Sequence, residues 1–182
     1  SGDNPANMAL YSPYIEAGYT ATDVCDTDVA VSVSGTVDHE TPGSYTLTYT
    51  ATDDAGNTTQ ATREVTVINA APVADAGTDQ LVESLSGSED VTLDGSGSSD
   101  PDGDNLSYSW VLNGSEVSQD ASFVTSLTTG VHTFSLTVND VWGETAVDVI
   151  VVSIVDPLVA YWKAEGNGDD ETVNNNNVVS AG

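Results

Sequence analysis

The sequence predicts an all-β protein built from two tandem copies of one β-sandwich module. Apolar and polar residues alternate with a period of two, most clearly from Tyr45 to Thr52. The same pattern recurs from His132 to Asn139, and helical periodicity is absent. Thr, Ser, Val, Gly and Asp dominate the composition, as is typical of strands joined by tight turns. We therefore expect sheets with one buried and one exposed face.

The two patterned stretches belong to a longer repeat. Asp53 and Asp140 end the two strands at equivalent positions, and a glycine follows each of them three residues later. An aspartate and a glycine at this spacing predict a tight turn and a returning strand. The returning strands are expected over Glu64 to Ile68 and Ala146 to Val155. Two copies of a strand–turn–strand unit are the economical interpretation.

The repeat divides the chain into modules. We predict one domain over 1–68, a linker over 69–72 and a second domain over 73–155. The linker contains a proline, which restricts its own backbone and that of the preceding residue, so we expect a semi-rigid joint. The remainder, 156–182, is expected to add one strand, Leu158 to Trp162, and a polar, Asn-rich tail.

Charge limits the possible partners. There are 29 acidic residues and two basic ones, which gives a formal net charge of −27 at pH 7. Nucleic acid is excluded because phosphate binding requires clustered Lys and Arg, and an anionic membrane surface is excluded for the same reason. No apolar run reaches the roughly 20 residues of a membrane span. Salt or divalent cations would relieve the self-repulsion, which fits an extracellular location.

Four segments are distributed over the whole of residues 72–155, namely Pro72–Gly77, Leu93–Gly103, Tyr108–Trp110 and Val138–Asp140. With these segments the module resembles the PKD domain of bacterial surface proteins and secreted hydrolases. The resemblance implies an immunoglobulin-like β-sandwich in which Trp110 is a core residue.

The first module contains the segments Gly2–Pro5, Tyr14–Gly18, Ala21–Asp23, Tyr49–Asp53 and Ala55–Asn57. With these segments, residues 2–67 resemble a bacterial immunoglobulin-like module of large surface proteins. The fold class implied for the chain is therefore all-β, with two tandem immunoglobulin-like β-sandwiches and a C-terminal extra strand. The start of the tail, Leu158–Trp162 with Glu165–Asn167, is similar to the opening of a laminin-G or concanavalin-like domain.

Closely spaced carboxylates predict calcium sites. Ca²⁺ takes about six to eight oxygen ligands, and the turn Asp100–Asp104 supplies aspartates held by Pro and Gly. PKD domains that bind calcium use these positions, so the resemblance implies Asp100, Asp102 and Asp140, with Asn69 contributing. The alternative is that these residues serve only turns and solubility. The corresponding cluster of the first module consists of Asp23, Asp26, Asp28 and Asp53.

Candidate sites of other kinds are few. We predict no catalytic residues and no enzyme activity. His132 lies at a position where the alternating strand pattern is otherwise apolar, so we expect it to pack, and the sequence suggests no nucleophile partner for His39. Trp142 lies in the predicted turn after Asp140, where it is expected to be exposed. It is the candidate binding residue for a sugar ring or a neighbouring module, and packing at the domain joint is the alternative. The single Cys25 is expected to be semi-buried.

These observations predict a non-catalytic structural or adhesive module. The chain is interpreted as a calcium-stiffened rod segment of a bacterial surface adhesin, stalk or fibre, secreted or at the cell surface. Its expected partners are neighbouring modules or copies of the same chain, and a surface polysaccharide is a further candidate. The alternative is a carbohydrate-binding accessory region of a secreted hydrolase.

The two ends of the chain suggest assembly. Relatives of the first module usually have one more strand ahead of Gly2–Pro5, whereas Leu158–Trp162 is an apolar strand without a domain of its own. Strand addition, in which the tail of one copy completes the first module of the next, would join these two features. The alternative is a truncated tail that packs on the second module or in a crystal contact.

Overall fold

The computed structural model describes residues 3–25 and 29–157. These residues form eleven β-strands, which confirms the all-β prediction. No helix among them is long and apolar enough to cross a membrane. They divide into two compact units. The first consists of 3–25, 29–74, Ser98–Ser107 and Thr137–Val147, and the second of Asp75–Gly97, Tyr108–Leu136 and 148–157.

The first module contains one four-stranded sheet in the order β1-β4-β3-β2. The central pair β3 and β4 is an antiparallel hairpin, β2 pairs antiparallel with β3, and β1 pairs parallel with β4. The two predicted strands of this module are therefore confirmed, with longer bounds than the pattern indicated. The strands are β1 (Ala6–Ala9), β2 (Ala30–Ser34), β3 (Gly43–Thr52) and β4 (Thr58–Ile68).

Alternation along β3 builds the core of this sheet. Leu47 and Tyr49 are buried and contact Val65 of β4, whereas the threonines that alternate with them along β3 are less buried. Met8 of β1 and Tyr14, which follows β1 outside any strand, pack against the same cluster. The segment after β1 thus covers part of the sheet without forming a strand itself.

The second module forms two sheets. One has five strands in the order β5-β11-β10-β7-β8, and the other pairs β6 with β9. This arrangement follows from strands whose alternate side chains are buried, as in β10 and β11. The strands are β5 (Gln80–Glu83), β6 (Ser88–Asp94), β7 (Ser107–Leu112), β8 (Ser115–Ser118), β9 (Ser122–Thr128), β10 (Gly130–Asn139) and β11 (Thr145–Val155).

Trp110 belongs to the second unit and is fully buried, as expected. Its indole N–H donates a hydrogen bond to the Asp120 carbonyl at 3.1 Å, and its ring packs at a tilt against Phe123. Space for the indole depends on Gly95, because a Cβ there would lie 3.1 Å from Trp110 Cζ2 and 2.7 Å from Leu136 Cδ2. A side chain at position 95 would therefore overpack this core.

The predicted repeat is visible in the turns that follow β3 and β10. Asp53 Oδ1 accepts the Asn57 N–H at 2.7 Å, and Asp140 Oδ1 accepts the Glu144 N–H at 2.9 Å, so both carboxylates bind the residue four positions later. The glycine three residues after each aspartate has a positive φ, 86° and 96° respectively. Glycine adopts this conformation without strain, which explains the shared spacing.

One expectation from the sequence is wrong, and two others concern residues outside the described ranges. Cys25 is exposed, so the expectation of a semi-buried thiol is wrong. Residues 12–25 form no strand, and the four residues Thr22–Cys25 are all exposed. The predicted extra strand Leu158–Trp162 and the lectin-like fragment lie outside the described residues.

Candidate metal centre

The turn that begins at Asp100 is held by one of its own carboxylate oxygens. Asp100 Oδ1 accepts the N–H groups of Asp102 and Asp104 at 2.8 and 3.2 Å. Gly103 has a φ of 85° and donates its N–H to the Asp100 carbonyl, which closes the turn. The other carboxylate oxygen, Asp100 Oδ2, is buried and has no hydrogen-bond partner among the described residues.

Asp140 and Asn69 form the second part of the site. Asp140 Oδ1 accepts the N–H groups of Trp142, Gly143 and Glu144 at 2.6–2.9 Å, and its Oδ2 accepts the Asn69 side-chain N–H at 2.6 Å. Burial alone would raise the pKa of Asp140, but these donors outweigh it and hold the pKa below its ordinary value. Asn69 Oδ1 is buried without a hydrogen-bond partner in the described part of the chain.

Asp104 has the same division between its two oxygens. Its Oδ1 accepts the Tyr11 hydroxyl at 2.6 Å, and its Oδ2 is buried with no described donor. One carboxylate oxygen from each of Asp100, Asp104 and Asp140 lies within 4.8 Å of the other two. All these residues belong to the first compact unit.

Calcium fits this arrangement chemically. Unpaired buried oxygens are rare, because each costs about 1–3 kcal/mol of lost hydration, and three of them come from one cluster here. Hard carboxylate and amide oxygens are the ligands that Ca²⁺ prefers. Asn69, Asp100, Asp104 and Asp140 are the residues that would hold the ion, which would neutralise their carboxylates.

The structure brings together three of the four residues implied for this site, namely Asn69, Asp100 and Asp140. Asp102 lies in the same turn, but its Oδ2 accepts the Ala70 N–H at 2.6 Å and it is not part of the close carboxylate group. Asp104 takes that place and was missing from the predicted set. The signal for it was present, because the residue lies in the same Asp-rich turn two positions further on.

The predicted cluster of the first module is less complete. Asp53 uses both oxygens in its turn, since Oδ1 and Oδ2 accept the backbone and side-chain N–H groups of Asn57, each at 2.7 Å. These bonds, the side-chain one first, lower the pKa of Asp53. Asp23 Oδ1 accepts the Cys25 N–H at 2.7 Å. Asp26 and Asp28 lie outside the described residues, so calcium here stays a prediction.

Trp142 is 42% exposed, as expected from its position in the turn. Its backbone N–H is one of the donors to Asp140, so the turn that presents the indole is also the turn that orients this carboxylate. A ligand for its ring remains a prediction.

Sequence patterns did not indicate a polar cluster on the first sheet. Glu16 forms an ion pair with Arg63 and accepts the hydroxyls of Tyr49 and Tyr14 at 2.6 and 2.9 Å. Arg63 also lies 5.5 Å from the centroid of the Tyr49 ring, at cation–π distance. A groove of about 500 Å³ beside this cluster is lined by Tyr19, Tyr49 and Arg63, among other residues.

Two families match the chain. The model of the family described as bacterial surface protein, Ig-like domain, matches residues 1–67, and the PKD domain model matches residues 69–154. Among curated proteins no match is found.

Solved structures give partial similarities. A nucleoside hydrolase-related hypothetical protein from Saccharophagus degradans, associated with carbohydrate metabolism, is 28% identical over 49% of this chain, with a TM-score of 0.39. The chain covers only 26% of that protein. The PKD domain of the KIAA 1837 protein is 30% identical over 46% of this chain and 85% of its own, with a TM-score of 0.37.

A third structure is similar over more of the chain. The fibronectin(III)-like modules of Clostridium thermocellum CbhA are 13% identical over 86% of this chain and 92% of their own, with a TM-score of 0.40. The family matches agree with the repeat, the strand pattern and the turns described above. The family models therefore find a bacterial surface Ig-like domain over 1–67, followed by a PKD domain over 69–154.

Proposed function

We propose that the chain is a calcium-stiffened rod segment of a bacterial surface adhesin, stalk or fibre, without catalytic activity of its own. Surface Ig-like and PKD domains support an extracellular structural or adhesive module, and such domains are typically non-catalytic. The observation that carries the calcium part is the set of three buried oxygens, on Asn69, Asp100 and Asp104, that have no described donor.

Stiffening would follow from where these ligands lie along the chain. Asn69 directly follows the first domain, whereas Asp100, Asp104 and Asp140 come from two turns of the second. An ion bound by all four would fix the residue between the domains to both turns. It would also remove the repulsion among three carboxylates. Because such an ion would bind the folded state and not the unfolded chain, it would stabilise the folded state by mass action.

Calorimetric titration of the chelator-treated full chain with calcium tests this proposal. Asp104→Asn keeps an oxygen that can accept the Tyr11 hydroxyl but removes a charged ligand, so it should weaken calcium binding at least tenfold. Asp90→Asn is the matched control, because Asp90 is exposed on β6 and lies outside the cluster. Absence of calcium binding to the unaltered chain would refute the calcium part.

Carbohydrate binding is the second candidate function, as an accessory region of a secreted hydrolase. The observation that favours it is the exposure of Trp142, since an exposed indole can stack on a sugar ring. Trp142→Ala should abolish retention on an immobilised surface polysaccharide. If Trp142→Ala is retained as strongly as the unaltered chain, Trp142 is excluded as the binding residue.

Assembly by strand addition also remains part of the proposal. The sheet of the first module ends in β1 and β2, and no described strand pairs with their outer edges. Such edges can accept a strand from another copy. The proposed donor, Leu158–Trp162, lies outside the described residues.

A further inference from the structure

Tyr11 has an unusual backbone conformation that the surrounding chain holds in place. Its φ is 59°, which is uncommon for a residue other than glycine. The Tyr11 N–H donates to the His39 carbonyl at 2.8 Å, and the preceding Leu10 N–H donates to the Ile68 carbonyl at 3.0 Å. Leu10 is also buried. The chain just after β1 is therefore held by two backbone hydrogen bonds and by one buried side chain.

The Tyr11 hydroxyl reaches a carboxylate that is distant in sequence. It donates to Asp104 Oδ1 at 2.6 Å across 93 residues of sequence, within the first compact unit. The Tyr11 side chain is itself 43% exposed, so burial of the ring does not explain this position. The other Asp104 oxygen, Oδ2, is one of the three buried oxygens of the candidate centre that lack a described donor.

We infer that Tyr11 is a positioning residue for the cation: its hydroxyl fixes Asp104 Oδ1 and thereby presents Oδ2 to the ion. This inference rests on the proposed calcium function. A carboxylate held on one oxygen cannot rotate freely about its Cβ–Cγ bond, and groups that orient metal ligands in this way typically contribute about 10–100-fold to metal affinity. Because Tyr11 is partly exposed, we expect the lower end of that range.

The contact also has a reciprocal consequence. If the Tyr11 hydrogen bond favours ion binding, then the bound ion must favour the Tyr11 hydrogen bond by the same factor. The loop after β1 would then be ordered by an ion whose ligands all lie at position 69 or beyond. Calcium should consequently slow the backbone hydrogen exchange of residues 10–12, although none of them is a ligand.

The test uses the full chain, stripped with a chelator and titrated with calcium alone. Tyr11→Phe should raise the calcium dissociation constant about tenfold and abolish the calcium-induced slowing of exchange at residues 10–12. Tyr45→Phe is the matched control, since the Tyr45 hydroxyl donates a bond of similar length, 2.7 Å, to the Thr41 carbonyl and touches no carboxylate of the site. That variant should bind calcium as the unaltered chain does.

The outcomes separate the inference from the function on which it rests. No calcium binding by the unaltered chain would refute the proposed function and this inference together. Normal affinity and normal slowing of exchange in Tyr11→Phe, with binding intact, would refute the inference alone. If Tyr11→Phe does not fold, Asp104→Ala tests the link from the other end: calcium bound by the remaining ligands should no longer slow exchange at residues 10–12, and persistent slowing would overturn the inference.

Discussion

Replacement of Glu16 by glutamine removes the charge at the centre of the polar cluster on the first sheet. Glu16 pairs with Arg63, whose side chain is only 9% exposed, and accepts hydrogen bonds from Tyr14, Tyr49 and the Gly18 N–H. Glutamine is nearly the same size, but it offers one acceptor oxygen instead of two. Its amide group would also point a donor at groups that are donors themselves, so the variant separates charge and hydrogen bonding from packing.

The expected loss of stability can be estimated from these contacts. A hydrogen bond to a charged acceptor contributes about 1.5–3 kcal/mol and one to a neutral acceptor about 0.5–1.5 kcal/mol. The Glu16 side chain is 30% exposed, so solvent screens the ion pair and the full value for a buried pair does not apply. We expect Glu16→Gln to lower the free energy of unfolding by roughly 2–3 kcal/mol.

The same cluster predicts a pH dependence. Burial raises the pKa of Glu16, but the bonds from Tyr49 and Tyr14 and the charge of Arg63 outweigh it, so the folded-state pKa lies below the ordinary value. A depressed carboxyl pKa contributes stability that is fully present above the unfolded-state pKa of about 4.3 and is lost as the pH falls through the folded-state pKa. The difference between the unaltered chain and Glu16→Gln should therefore be largest near neutral pH and shrink below about pH 4.

Urea unfolding followed by tyrosine fluorescence and hydrogen exchange measures this difference. Glu64→Gln is the matched control, because Glu64 lies beside Arg63 on β4 and is exposed. The reasoning is refuted if Glu16→Gln unfolds at the same urea concentration as Glu64→Gln at neutral pH. It is also refuted if the difference persists undiminished at pH 3.

The remaining predictions concern the core, the metal centre and assembly. Gly95→Ala should lower the free energy of unfolding by about 1–3 kcal/mol, measured by calorimetry, because its Cβ would lie 2.7 Å from Leu136 Cδ2. Asn69→Asp should lower the melting temperature in chelator, where it faces Asp140, but much less in excess calcium; an equal loss in both would argue against the ion. Deletion of 158–182 should abolish concentration-dependent assembly in sedimentation velocity, and polymerisation of the shortened chain would exclude tail-mediated strand addition.

The parts of the fold that sequence predicts are local. Alternation specified β3 and β10, and the spacing of Asp53 and Asp140 from their glycines specified the turns, because these patterns report the conformation of adjacent residues. The contact of Asp104 with Tyr11 depends on tertiary placement, and no spacing in either segment indicates it. The pairing of Glu16 with Arg63 was invisible for the same reason.

Hydrogen bonding within the fold and the proposed metal binding need not compete for the same atoms of these side chains. Asp100 binds the backbone of its turn through Oδ1, and Asp104 binds Tyr11 through Oδ1. Asn69 binds Asp140 through its amide N–H. In each of the three residues one atom is used by the fold, and the remaining oxygen is buried without a described donor. Hydrogen bonds within the fold account for the first atom of each residue but leave the cost of burying the second unexplained, whereas the proposed cation would account for that second atom.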